Sequence, residues 1–152
     1  MFPSTTRRVP EHTSDEANRA IVRHTAVNVR FYANCPDQID RRLDELDREW
    51  DIERVLEANA ATLSLIGATL AATQDRRWLV LPGLVAAFLL QHATQGWCPP
   101  LPVLRRLGFR TSREIDVERT ALKALRGDFR EVDYAVGDAD HVAGRAIHAA
   151  RR

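Results

Sequence analysis

Cys98 invites a chemical reading before any other residue. It stands in Gly96-Trp97-Cys98-Pro99, where a helix end gives way to backbone fixed by proline. A partly exposed thiol at such a place could, as thiolate, accept sulfur or hold a soft metal. His92 lies one and a half turns upstream and meets that thiol only if the chain folds back at Gly96. Two ligands fall short of a zinc site, so no metal or cofactor is expected. The plainer account treats Cys98 as a small buried hydrophobe, because free cysteine packs well and a helix C-terminus disfavours thiolate. That account is preferred, with Cys98 and His92 kept as a candidate thiol site and Gly96, Trp97, Cys98, Pro99 and Gly108 as its motif.

The other reactive types are weaker still. Cys35 stands at the helix break Asn34-Cys35-Pro36-Asp37 and is incidental. His24 falls on the apolar face of the first helix, where a hydrogen-bonded packing histidine is expected rather than a base. Carboxylates abound from Asp44 to Glu53 but sit among arginines on a charged helix face, with no reason for a raised pKa. No glycine pattern suited to phosphate occurs. Basic residues number 22 against 21 acidic, for a net charge of +1, which argues against a general nucleic-acid binder. Arg105, Arg106 and Arg110 could touch anionic lipid. No catalytic constellation emerges, and no small-molecule substrate can be named.

The elements that must position these residues are helical. Met1–Pro10 holds Arg7, Arg8 and two prolines without an apolar run after them, so residues 1–12 are expected as a flexible arm and not a secretory signal. Thr13-Ser14-Asp15-Glu16 matches a capping box. It opens a helix to about Ala33 with Ala17, Ala20, Ile21, His24, Val27 and Phe31 as its stripe and Asn28 as an interruption. After Pro36, Ile39, Leu43, Leu46 and Trp50 form a heptad-like seam, with Asp37–Arg41 and Asp44–Arg48 spaced for attraction across one turn.

The character changes at Ala58. No charged side chain occurs from Ala58 to Gln74, nor, after Asp75-Arg76-Arg77, from Trp78 to Leu104. Two such runs across so short a link predict a helical hairpin over 52–97. Gly67 and the neighbouring alanines give it a surface for close helix contact. Seventeen residues at ~1.5 Å each reach about 26 Å, near the hydrocarbon thickness of a bilayer. Asn59, Thr62, Ser64, Gln91 and His92 also suit the core of a soluble bundle. Beyond the hairpin, Pro99-Pro100-Leu101-Pro102 leaves the helix and Gly108 ends a short turn. Thr111-Ser112-Arg113-Glu114 is a second capping box, opening a helix to Arg126 with Ile115, Leu122 and Leu125 inward.

The uncharged hairpin, Gly96-Trp97-Cys98-Pro99 and Leu104-Arg105-Arg106-Leu107-Gly108 together resemble the YgaP-like transmembrane domain family. Its members are small bacterial inner-membrane domains of unknown function, and the match covers about Asp51 to Gly108. The resemblance implies a membrane-associated helical hairpin, self-associating, fused in some relatives to a rhodanese sulfurtransferase domain. This chain has no such domain, and neither cysteine opens a Cys-x-x-x-x-Arg loop.

The expectation is therefore an all-α protein: an arm over 1–12, one helical domain over 13–127, and a weakly ordered tail over 128–152. It is read as non-enzymatic, associating with the inner membrane, both termini cytoplasmic, or with a second copy through the hairpin. A thiol-dependent sulfur-transfer accessory and a soluble cytoplasmic helical oligomer are the alternatives.

Overall fold

Side-chain caps at Ser14, Asp51 and Thr111 set three of the helix starts among the described residues. The computed structural model describes residues 4, 6–130, 132 and 139–151. Parts of the expected arm (1–3 and 5) and of the expected tail (131, 133–138 and 152) lie outside the described residues. The order is α1 Arg8–Glu11, α2 Asp15–Asn34, α3 Ile39–Arg48, α4 Ile52–Thr73, α5 Val80–Gln95, α6 Leu101–Arg106, α7 Ser112–Arg126 and α8 Ala139–Arg151, with 3-10 turns at Pro36–Gln38 and Arg76–Leu79. The architecture is all-α, with no strand among the described residues. Where one domain is expected over 13–127, the chain divides into two compact units: Met1–Val22 with Trp50–Glu114, and Arg23–Glu49 with Ile115–Arg152.

In the first unit order begins before Thr13. The short α1 buries Val9 against Ile52, Leu56, Cys98, Leu101 and Leu104. Thr13 does not cap α2. Its hydroxyl donates to the Val9 carbonyl at 2.8 Å and accepts from Arg105, and Ser14 takes the cap by accepting the Ala17 N–H. The cap shifts by one residue because tertiary partners claim the threonine.

α4 starts at Asp51, whose carboxylate accepts the Arg54 N–H at 2.8 Å. Asp75 starts the 3-10 turn in the same way through Arg77. Pro82 falls in the first turn of α5, where a missing N–H costs little. α4 and α5 form the expected hairpin. They pack closely at Gly67, where an added Cβ would lie 2.6 Å from Pro82 Cδ. Thr62, Thr69, Thr73 and Thr94 each donate their hydroxyl to the carbonyl one turn back, so these polar residues leave the helix surface effectively apolar.

In the second unit the core is Tyr32, Ile39, Leu43, Leu46, Ile115 and Leu122. Of the expected α2 stripe, Ala17 and Ile21 are buried, whereas Ala20 and the later positions are not. His24, Val27 and Phe31 are exposed, while Asn28 turns inward and donates to Glu118 at 3.2 Å. Glu118 is fully buried and also accepts from Arg42 at 2.9 Å, so an acid occupies the α7 stripe while Leu125 faces out. Arg41 reaches Gln38 and Glu45 rather than Asp37. Arg126 pairs with Asp40, and Lys123 donates to the Ala150 carbonyl at 2.8 Å, which ties α7 to α8, where Ala149 is buried.

Candidate functional site

The base of the hairpin gathers the titratable groups. Glu53 stands in the first turn of α4, ahead of the uncharged stretch, and His92 in the last turn of α5. Their side chains meet at 2.8 Å between Glu53 Oε2 and His92 Nε2, while Arg8 of α1 holds Oε1 at 2.9 Å and donates to the Ala93 carbonyl. Because a carboxylate accepts, His92 donates from Nε2, and its Nδ1 is buried without a hydrogen-bond partner among the described residues. The hydrogen bond from His92 holds the Glu53 carboxyl below its ordinary value, against the opposing effect of burial, and Arg8 adds to the lowering. This ion cluster ties three helices together.

Cys98 takes no part in it. Its thiol is buried among Val9, Ile52, Leu56, Leu101 and Leu104, and burial pushes it up from its ordinary value. A neutral, covered thiol is a poor nucleophile. No hydrogen bond joins it to His92, whose Nε2 is committed to Glu53. The rest of the Gly96–Pro99 segment explains itself as backbone shape. Gly96 closes α5 in the left-handed conformation at φ 83°, and an added Cβ would lie 2.5 Å from the Arg8 carbonyl oxygen. Trp97 is half-buried and Pro99 exposed, and Cys98 accepts the Leu101 N–H as α6 begins. Gly108, at φ 92°, ends α6 with open space around it. Among the described residues no group of three His, Cys, Asp or Glu side chains is placed to hold a metal.

Two of the three arginines read as lipid contacts are buried. Arg105 donates to Glu114 through both terminal nitrogens at 2.7 and 2.8 Å, to Asn18 at 2.9 Å, and to Thr13 and the Phe109 carbonyl at 3.1 Å. Glu114 completes the expected capping box, accepting the Thr111 N–H while Thr111 Oγ1 accepts its own. Burial raises the Glu114 carboxyl, but the Arg105 and Thr111 hydrogen bonds outweigh it and leave the group below its ordinary value of 4.5. Arg110 is equally buried; only Arg106 stays exposed. Arg8 and Glu53 escaped the sequence reading because their partners are tens of residues away. The legible signal was Glu114 in its capping box.

What remains is surface. Helical stretches within Pro36–Thr73 and Arg76–Gln95 are long and apolar enough to cross a membrane, yet only 11% and 6% of their most apolar windows is buried. Leu65, Ile66, Val80, Leu84 and Leu90 stand open. Trp78 lies at the hairpin tip and Trp97 at its base; Trp50, expected in the seam, is exposed under Arg54 at 4.5 Å. No protein-family model, curated protein or solved structure matches the chain.

Proposed function

We propose that this is a small non-enzymatic helical protein that attaches to a bacterial inner membrane by inserting the α4–α5 hairpin, with both termini on the cytoplasmic side. The observation that carries the reading is the exposed apolar surface on two adjacent helices, where Leu63, Leu65, Ile66, Val80, Leu84 and Leu90 stand open and little of either apolar stretch is buried. Three features support it. The four threonine hydroxyls are returned to their own helices, as apolar surroundings require. Tryptophans mark both ends of the bare zone, where interfacial rings belong. The titratable groups at the base of the hairpin are paired, Glu53 with Arg8 and with His92. The inserted parts are 58–73 and 78–95, and the first of these reaches about 24 Å at ~1.5 Å per residue. That is shorter than the ~30 Å core, a mismatch met by local thinning and by Arg76 and Arg77 reaching the far interface. The resemblance to the YgaP-like domains points the same way.

Alkaline carbonate washing of membranes from cells expressing the full chain tests this. The wild type stays in the pellet, and Leu65→Glu with Leu84→Glu moves it to the supernatant, since a charge at mid-hairpin costs roughly 2.5–3.5 kcal/mol. Release of the wild type as a discrete soluble oligomer refutes insertion and assigns the same face to a second copy.

A further inference from the structure

We infer that the cleft between α4, α5 and the Cys98–Pro100 segment is a binding site for one acyl chain of a membrane phospholipid. The two helices are pinned at both ends: toward the tip by Gly67 against Leu81 and Pro82, and at the base by Glu53 against His92. Between these pins lies an open cleft of about 220 Å³, lined by Leu56 and Leu63 on α4, Val85 and Phe88 on α5, and Pro99 and Pro100. Of its lining side chains only the Asn59 amide and the Cys98 thiol are not hydrocarbon, and that thiol is held neutral by burial.

The lining decides the ligand class. A dry apolar cavity of ~150 Å³ already takes a guest the size of benzene, and water finds too few polar partners in such a lining. No charged side chain lines the cleft, so a compact anion or cation has no counter-charge there. A flexible hydrocarbon fits. Its source follows from continuity: Leu63 and Phe88 line the cleft and also belong to the exposed apolar flank of the hairpin. A chain entering from that flank need not cross water. The polar end of the ligand stays outside, because Glu53 and His92, one helical turn below Leu56 and Leu89, already engage each other. The inference rests on the inserted hairpin, which supplies the lipid.

The test reconstitutes the full chain into vesicles of phosphatidylethanolamine and phosphatidylglycerol, transfers it to a mild detergent, and counts retained phospholipid by native mass spectrometry. The wild type retains one phospholipid per chain. Ala60→Phe and Val85→Phe, which fill the cleft, lose it, while Leu90→Phe, on the exposed flank outside the lining, keeps it; circular dichroism confirms that each variant is helical. Equal retention in all four means nonspecific annular contact and overturns the site. No retained lipid in wild type that resists carbonate overturns the site but leaves insertion standing. Lipid retained by a chain that carbonate releases, and lost with Ala60→Phe, upholds the cleft and overturns insertion. Release with no retained lipid overturns both.

Discussion

Arg105→Ala measures how much the base of the hairpin depends on one buried ion pair. The guanidinium is 1% exposed and spends five hydrogen bonds on four groups, two of them on Glu114. Deleting one member of a buried pair leaves the other uncompensated, at roughly 3–5 kcal/mol. Here the survivor is not fully enclosed: the Glu114 side chain is 20% exposed and keeps the Thr111 N–H, so water and that bond recover part of the loss. An overall loss of about 3 kcal/mol is expected, a large share of the ~5–15 kcal/mol that holds a domain together. Urea titration of the purified chain in mild detergent, followed by circular dichroism, reads this as a midpoint lowered by about 1–3 M at an unchanged slope. Arg7→Ala is the control. Arg7 faces Glu11 at 3.3 Å with both side chains largely exposed, and its removal should cost under ~1 kcal/mol. If Arg105→Ala shifts the midpoint no further than Arg7→Ala, the Arg105 cluster is not a structural tie and the reasoning fails.

Two further outcomes follow from the same geometry. Gly96→Ala should destabilise more than Gly108→Ala: both sites hold left-handed φ, at ~1–2 kcal/mol for a residue with a Cβ, but only at Gly96 does that Cβ meet the Arg8 backbone. Equal urea midpoints would remove the steric part of that argument. Glu53 and Glu114 both sit below their ordinary carboxyl range in the fold, so the unfolded chain binds protons at the higher pH. Their contribution is full above pH 4.5 and is lost as pH falls through the folded values; midpoints measured from pH 7 downward should decline below that point, and less steeply in Glu114→Gln.

The helices were legible because their signals are local. The second capping box, the proline after Asn34 and the glycine after Gln95 each act within one or two turns, and each falls where α7, α2 and α5 start or stop. Helix faces were less legible. Asn28 reads as an interruption of an apolar stripe, yet it points inward because Glu118 is buried there as a partner, a fact held ninety residues away. Leu125 and His24 read as inward on hydropathy alone and lie outside. The Cys98 thiol is surrounded by carbon, and the His92 imidazole is bound to Glu53. Arg8 was invisible because a proline-flanked arm carries no periodicity, although burial of Val9 beside it fixes the turn.

The orientation of an inserted hairpin has to be argued from pairing and not from a count of arginines. Counting assigns Arg105, Arg106, Arg110 and Arg113 to the base against Arg76 and Arg77 at the tip, a clear excess. Arg105 and Arg110 are 1% and 2% exposed and cannot meet lipid headgroups. Arg54 is exposed beside Trp50, so within Trp50–Glu114 the exposed arginines of the base reduce to Arg54, Arg106 and Arg113 against two at the tip. That margin is narrow. What separates the two ends more strongly is the cost of moving them: the tip carries three charged residues on a short turn, whereas the base carries folded helices whose buried ion pairs would all have to be broken in transit. If the hairpin inserts as proposed, the base therefore stays on the side where it folds, and the tip is the part that crosses.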